Sequence, residues 1–315
     1  MKTKLQSLQE SILNAVDMID QSQLISDDLL LQQSTKYSIN SLDFINAHSL
    51  LDKCEQVANN YKKTKPVIRV IHHLACSGGS LISKFLSAMP NTFLLSEIHP
   101  NTHFHLNPEK PHYAPTDLSS LIRFSGLPYE NELINNIFCS SIAQVNLHTD
   151  SLGGSLILRD HTHADFFVEN CPMRSTLIDL LADSYDVCSV LTIRNPIDSY
   201  LSLVDNGWLH FMPASFEEYC SRICSMLEVY KDVPIFRYEN LVASPLDQMR
   251  KICEKLKLNF SDDFIDVFDV LKVTGDSGRS GGDVTARSRR QIDQVLNEEI
   301  MQSKSFEKLH AQFSF

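Results

Sequence analysis

The residues best suited to chemistry stand at the ends of short apolar runs. Ser77-Gly78-Gly79-Ser80 follows the run Val67-Ile68-Arg69-Val70-Ile71, and Leu81, Ile82, Phe85, Leu86 and Met89 follow at helical spacing. A strand, a small glycine turn and a helix in that order make an anion site. The glycines let backbone N–H groups turn inward, and the first N–H groups of a helix have no intrahelical acceptor. The expected occupant is a phosphate of a nucleotide. The GK[ST] ending of a Walker A loop is absent, since Leu81 follows Ser80. A triphosphate with magnesium would lack its usual cation there.

Four further strand ends carry polar residues. Phe93-Leu94-Leu95 leads to Glu97. Ser155–Arg159 runs into Asp160-His161-Thr162-His163. Val187–Ile193 ends in Arg194-Asn195-Pro196, followed by a helix with Ser199 and Ser202. Val233–Tyr238 reads as a fifth strand. His161 is the natural general base, being able to take a proton from a hydroxyl or amine near neutral pH. Glu97 is the rival base, and Arg159 can stabilise charge on a transferring group. Arg194 offers a fork of donors for a second phosphate, with the Ser202 hydroxyl two helical turns on. Simpler readings stand beside these: a plain glycine turn, an Arg194–Asp198 surface pair, and a His161 bonded to Asp160 or backbone. The pairs His103/His105 and His161/His163 have H-x-H spacing, but no cysteine or acid at fixed spacing completes either one. No metal is therefore expected.

Short strands alternating with helical patterns near 117–125, 129–148, 174–184 and 214–230 predict a parallel sheet covered on both faces. Ligands of such sheets lie beyond the carboxyl ends of the strands, which gathers Ser77–Ser80, Glu97, Arg159–His163, Arg194 and Tyr238 along one rim. The irregular stretch from His99 to Pro115 is long enough to serve that rim. Residues 1–65 contain neither glycine nor proline. Leu5, Leu8, Ile12, Val16 and Ile19 repeat at helical spacing, as do Phe44, His48, Leu51, Cys54 and Tyr61. The reading is a helical N-terminal extension over 1–65, packed on the main domain or joining copies of the chain into a homo-oligomer, and a main domain over 66–315. Six of the ten glycines lie in the first loop or in Gly275–Gly282, so the second group marks another backbone region shaped for close approach. Arg279, Arg287, Arg289 and Arg290 there supply local positive charge. The net charge of −11 argues against a nucleic-acid partner. No run suits a membrane span or a signal peptide. The eight scattered cysteines suit reduced thiols in the cytoplasm.

Ala75-Cys76-Ser77-Gly78-Gly79-Ser80-Leu81 resembles the 5′-phosphosulfate loop, usually written PKSGTTW, of the sulfotransferases that use 3′-phosphoadenosine 5′-phosphosulfate (PAPS). Val190 to Ser202 is similar to that family's 3′-phosphate motif, including the eight-residue step from Arg194 to Ser202. Phe236 to Pro245 is similar to its YEDL segment, whose tyrosine, here Tyr238, lies near the adenine. Arg159-Asp160-His161 falls where many members carry Lys-Thr-His, and Ser277 to Gly281 is similar to the late RKG loop. The resemblance spans about residues 67–290.

That resemblance implies an α/β, P-loop sulfotransferase-like three-layer fold with a central parallel sheet, the N-terminal helical extension being additional. It implies a transferase that moves a sulfuryl group from PAPS to a hydroxyl or amine, releasing adenosine 3′,5′-bisphosphate. The acceptor is a small molecule, a glycan or a peptide, and no metal is needed. Ser77, Gly78, Gly79, Ser80 and Leu81 would hold the 5′ side of the cofactor, Tyr238 the adenine, and Arg194, Ser202, Arg279, Ser280 and Gly281 the 3′-phosphate. His161 or Glu97 would be the base. The chain departs from the pattern at Cys76, where a lysine or arginine is expected, at Gly79, which lacks a hydroxyl, and at Leu81, where an aromatic is usual. Arg159, Arg279 or an arginine of 287–290 would then supply the loop's charge. Two alternatives are a nucleotide-binding protein with impaired catalysis on the same fold, and a P-loop kinase. The missing Walker lysine and the lack of an acidic magnesium ligand after a strand count against the kinase.

Overall fold

The computed structural model describes residues 13, 65–102, 115–167, 176–273, 284 and 289–315. The chain divides into two compact units, Met1–Thr64 and Lys65–Phe315. Apart from Leu13 and Lys65, the expected helical extension and its role in association lie outside the described residues. So do His103, His105, Arg279, Ser280, Gly281 and Arg287.

β1 (Val67–His73) is the middle of five strands in the order β2-β3-β1-β4-β5. It is flanked by β3 (Ser155–Asp160) and β4 (Asp186–Ile193); β2 (Thr92–Ile98) and β5 (Ile235–Arg237) lie at the edges, and every pairing is parallel. Such strands are covered on both faces and therefore read as near-continuous apolar runs. Ile68 and Val70 face Leu156, Leu158, Leu177 and Leu181, while Ile71 faces Ile82, Phe85, Ile157 and Met249. The sheet is thus the middle layer of three.

The helices on the second of these faces are α1 (Gly79–Ser87), the crossover from β1 to β2, and further along the chain those of residues 245–255 and 264–267. On the other face, α2 (Leu118–Arg123) leads to α3 (Glu130–Ser151), which packs on the sheet ahead of β3. After β3 come α4 (His163–Phe166) and α5 (Leu177–Ala182), then β4 and α6 (Pro196–Asn206). α5 begins on a Thr176/Asp179 capping box. α6 begins as its sequence specifies: the Asn195 side chain accepts from the Ile197 amide, and Pro196 fills the first turn where no N–H is needed. α7 (Phe216–Val229), β5, α8 (Tyr238–Ala243), α9 (Pro245–Lys255) and α10 (Phe264–Val267) follow, and α11 (Gln294–Gln302) and α12 (Lys304–Phe313) close the chain against α7.

Two strands differ from their sequence reading. The fifth, expected over Val233–Tyr238, is confined to Ile235–Arg237, because Pro234 has no N–H to donate and Tyr238 already opens α8. The second is longer than Phe93–Leu95 and carries a register shift between Leu95 and Ile98, a bulge that matters for the site. No disulfide joins the described cysteines. Among the described residues, no helix is long and apolar enough to cross a membrane.

Arg69, the one charge inside the β1 run, has a structural task. Its Nε donates to the Leu256 carbonyl at 2.8 Å and its Nη2 to that of Lys257 at 3.1 Å, which satisfies the open carbonyl end of α9. Arg69→Met should lower the unfolding free energy by about 1–3 kcal/mol, read from the midpoint of urea denaturation. An unchanged midpoint would contradict this capping role.

Candidate functional site

The carboxyl ends of β1, β3 and β4 lie side by side, so the three segments that follow them share one rim. After β1 the chain turns tightly. The Ser77 amide and hydroxyl both bond the Leu74 carbonyl, at 3.3 and 2.6 Å. Cys76 and Gly78 take positive φ, 63° and 97°. Gly78 is the N-cap of α1 and supplies no side-chain cap, so the helix begins with backbone donors alone.

Each glycine of the loop has a ring against it. A Cβ on Gly78 would lie 2.3 Å from the Tyr238 ring, and one on Gly79 would lie 2.1 Å from the His73 imidazole. Gly78 is therefore needed twice, for its φ and for the tyrosine. The Gly79 departure from the family loop has a local reason as well: the space a threonine would take there is filled by His73.

On the Tyr238 side, Arg194 donates from Nη1 to the Cys76 carbonyl at 3.1 Å and lies 5.0 Å from the centre of the Tyr238 ring. The corner behind it is fixed by Glu239, whose Oε1 accepts from the Asn195 amide at 2.7 Å. Ser77–Ser80, Arg194 and Tyr238 are thus brought together. Ser202 lies further along α6, buried, with its hydroxyl bonded to the Asp198 carbonyl at 2.9 Å. Asp198 does not pair with Arg194, as the simpler reading had it. Its carboxylate meets Arg289 at 3.1 Å, while Arg290 pairs with Asp205. Leu81 packs with the apolar cluster around Ile82 and Phe85.

On the His73 side, Arg159 is the centre. It is only 3 % exposed, and its Nε donates to His73 Nε2 at 2.7 Å, its Nη1 to Ser96 Oγ at 3.0 Å, and its Nη2 meets Glu97 Oε1 at 2.5 Å. Because His73 Nε2 accepts, its Nδ1 carries the proton and donates to the Leu74 carbonyl at 3.0 Å. Burial, with Arg159 beside it, brings the His73 pKa down to about 3, so the ring is neutral. Burial likewise pushes the Glu97 carboxyl up to about 7, against the pull of Arg159.

Glu97 owes its direction to backbone strain. Its φ is 59° and it sits at the β2 bulge, a feature that re-aims a side chain. Its Oε2 lies 3.8 Å from His161 Nε2. The other His161 nitrogen, Nδ1, is 3.1 Å from the Thr102 hydroxyl, and the His161 and His163 rings stand edge to face with centroids 3.5 Å apart. Burial holds the His163 pKa well below the usual histidine value. Ligand-type atoms of Glu97, His161 and His163 all fall within 4.8 Å of one another. The His161/His163 pair, which no acid of fixed spacing completes in sequence, thus gains one from the neighbouring strand.

Asp160 does not bond His161. It turns under the sheet to His72, with Nδ1 and Oδ2 2.7 Å apart, and takes the Thr162 hydroxyl at 3.0 Å. Burial alone would raise its carboxyl. The His72 hydrogen bond and charge, with His99 and Thr162, bring it below its ordinary value.

The sequence reading passed over His73, Ser96, Thr102 and Glu239. Two histidines closing a mostly apolar strand were a usable signal for His73, and the acid after Tyr238 one for Glu239. Ser96 and Thr102 carried none. Of the cations proposed to replace a loop lysine, Arg159 turns inward to Glu97 and His73, and Arg289 and Arg290 pair with α6.

A parallel α/β sheet with a glycine loop and a helix N-terminus at the end of its central strand is the frame on which the site is built. The chain belongs to the Sulfotransferase family, whose model matches residues 66–262. Among solved structures, the chain is similar to the sulfotransferase domain from the curacin biosynthetic pathway, with 17 % identity, 80 % of this chain and 99 % of that one covered, and a TM-score of 0.45. It is also similar to the sulfotransferase domain from the Synechococcus PCC 7002 olefin synthase, with 16 % identity, 81 % and 97 % covered, and a TM-score of 0.46. Mouse sulfotransferase SULT7A1 complexed with PAP shows 12 % identity, 78 % and 88 % covered, and a TM-score of 0.37. No curated protein sequence matches the chain.

Gly79→Ala should cost about 1–3 kcal/mol of stability, because the His73 ring it would strike is pinned at both nitrogens. Urea denaturation measures this, and a loss well under that range would contradict the packing of His73 on the loop.

Proposed function

We propose that the chain moves a sulfuryl group from PAPS to a hydroxyl or amine of a small-molecule, glycan or peptide acceptor. The observation that supports it most is the meeting of two groups of residues across the loop. Arg194 stands by Tyr238 and Gly78 on one side, and Glu97 and His161 stand by His73 and Gly79 on the other. The donor set suits a cofactor with two phosphates. The uncapped start of α1 offers backbone N–H groups, and Arg194 offers a half-buried guanidinium next to them.

When bound, PAPS supplies the sulfuryl group. The Ser77–Ser80 segment would hold its 5′ side and Arg194 the 3′-phosphate, with Ser202, Arg279, Ser280 and Gly281 assigned to the same end by the family resemblance. Tyr238, against Gly78, would border the adenine. His161 accepts the proton of the acceptor at Nε2. Glu97 Oε2 faces that nitrogen and stabilises the positive charge it gains, while Thr102 fixes the ring through Nδ1. Arg159 positions Glu97 and fixes the neutral His73.

One observation favours a second reading, a nucleotide-binding protein that has lost turnover. Arg159, Arg289 and Arg290 all have carboxylate partners away from Cys76, which stands where the family loop carries its cation.

Thermal shift with adenosine 3′,5′-bisphosphate and, separately, ATP–Mg2+ tests the binding. The bisphosphate should stabilise the protein, and stabilisation by ATP–Mg2+ alone would overturn the proposal. Arg194→Ala should weaken bisphosphate binding at least about tenfold, as expected for a lost charge-assisted bond. His161→Ala should keep that binding and slow transfer from labelled PAPS about 100-fold or more. Equal loss of binding in both variants would contradict the assigned roles. Bisphosphate binding with neither labelled product nor slow hydrolysis would support the second reading.

A further inference from the structure

The geometry points to a divalent-cation site formed by Glu97, His161 and His163, suited to a borderline first-row metal such as Zn2+. Two imidazoles and one carboxylate are the donor set of open, three-ligand sites, in which water or a substrate atom takes the remaining position. Glu97 comes from the end of β2, His161 and His163 from the turn and the helix start that follow β3, and their ligand atoms already lie within 4.8 Å of one another. Bonds of about 2.0–2.1 Å would draw such atoms to roughly 3.3 Å apart, a contraction of side-chain size. His161 Nε2 and Glu97 Oε2, the atoms that would ligate, face each other at 3.8 Å.

The surroundings fit as well. Ligating histidines and carboxylates are usually held by a second bond on the atom that does not ligate. Here His161 Nδ1 is 3.1 Å from the Thr102 hydroxyl, and Glu97 Oε1 is held by Arg159 at 2.5 Å. The bulged, positive-φ backbone at Glu97 is local strain that turns the carboxylate toward the two rings. Arg159 adds one positive charge beside the cluster, and the Glu97 carboxylate it pairs with offsets it.

This site stands independently of sulfuryl transfer, since it needs neither PAPS nor an acceptor. It does share His161 with that reading. An ion on Nε2 takes the lone pair that would accept the proton, so a filled site and proton transfer by His161 exclude one another.

Co2+, whose visible ligand-field absorption reports imidazole and carboxylate ligation directly, is the probe. The untagged full chain, stripped with a chelator, should take up one saturating equivalent of Co2+ with the appearance of visible bands. His163→Ala and Glu97→Gln should each weaken that uptake by more than about 100-fold, and Thr102→Val, which leaves the ligands in place, by about 10-fold. Circular dichroism on each variant separates ligand loss from unfolding. Absence of a saturable band in the parent, or unchanged Co2+ affinity in folded Glu97→Gln or Thr102→Val, would overturn the site. Neither result bears on bisphosphate binding, which is read without metal.

Discussion

The site depends on one buried cation. Arg159 sits on β3 with almost no exposure, and a charge held away from water is costly unless it is paired and fully hydrogen-bonded. Its partners come from both neighbouring strands: Ser96 and Glu97 from β2, His73 from β1. Satisfying that one guanidinium aligns three strand ends. It also turns one oxygen of Glu97 away, leaving the other toward His161, and it sets the tautomer of His73. The two groups on which the proposed chemistry rests, the loop and the Glu97–His161–His163 cluster, are joined through this residue.

The consequence for the loop is steric. His73, pinned between Arg159 and the Leu74 carbonyl, occupies the space over Gly79, and Tyr238 occupies the space over Gly78. The loop is shaped by its two neighbours as much as by its own sequence. Arg194, at the opposite end of the loop from Arg159, has a different character: it is half-buried, with an aromatic face and a backbone carbonyl as partners. The cation that completes a structure and the cation suited to a ligand are thus distinguishable by what they touch.

Much of this was legible in the sequence, and the gaps have physical causes. Short apolar runs ended by Gly, Pro or polar residues located five strands, because parallel strands buried on both faces leave that trace. Asn195-Pro196 announced the start of α6, since both residues fit one helix position each. The β2 bulge was not legible: a one-residue register shift leaves no compositional mark, yet it decides where Glu97 faces. The Glu97–His161–His163 cluster escaped for the same reason, since Glu97 joins the His161/His163 pair by strand pairing rather than by spacing. Arg159 looked like a free cation because nothing in a linear reading shows that two adjacent strands supply its partners. The task of Arg69 was not legible because its acceptors lie just past the end of α9, far along the chain.

The central claim is that the loop at the end of β1 and Arg194 together hold the two phosphates of a 3′-phosphoadenosine cofactor. A crystal structure grown with adenosine 3′,5′-bisphosphate tests it most directly. The account predicts the 5′-phosphate at the Ser77–Ser80 amides and the 3′-phosphate at the Arg194 guanidinium. Bisphosphate bound elsewhere, or a loop left empty at a saturating concentration of bisphosphate, would contradict it.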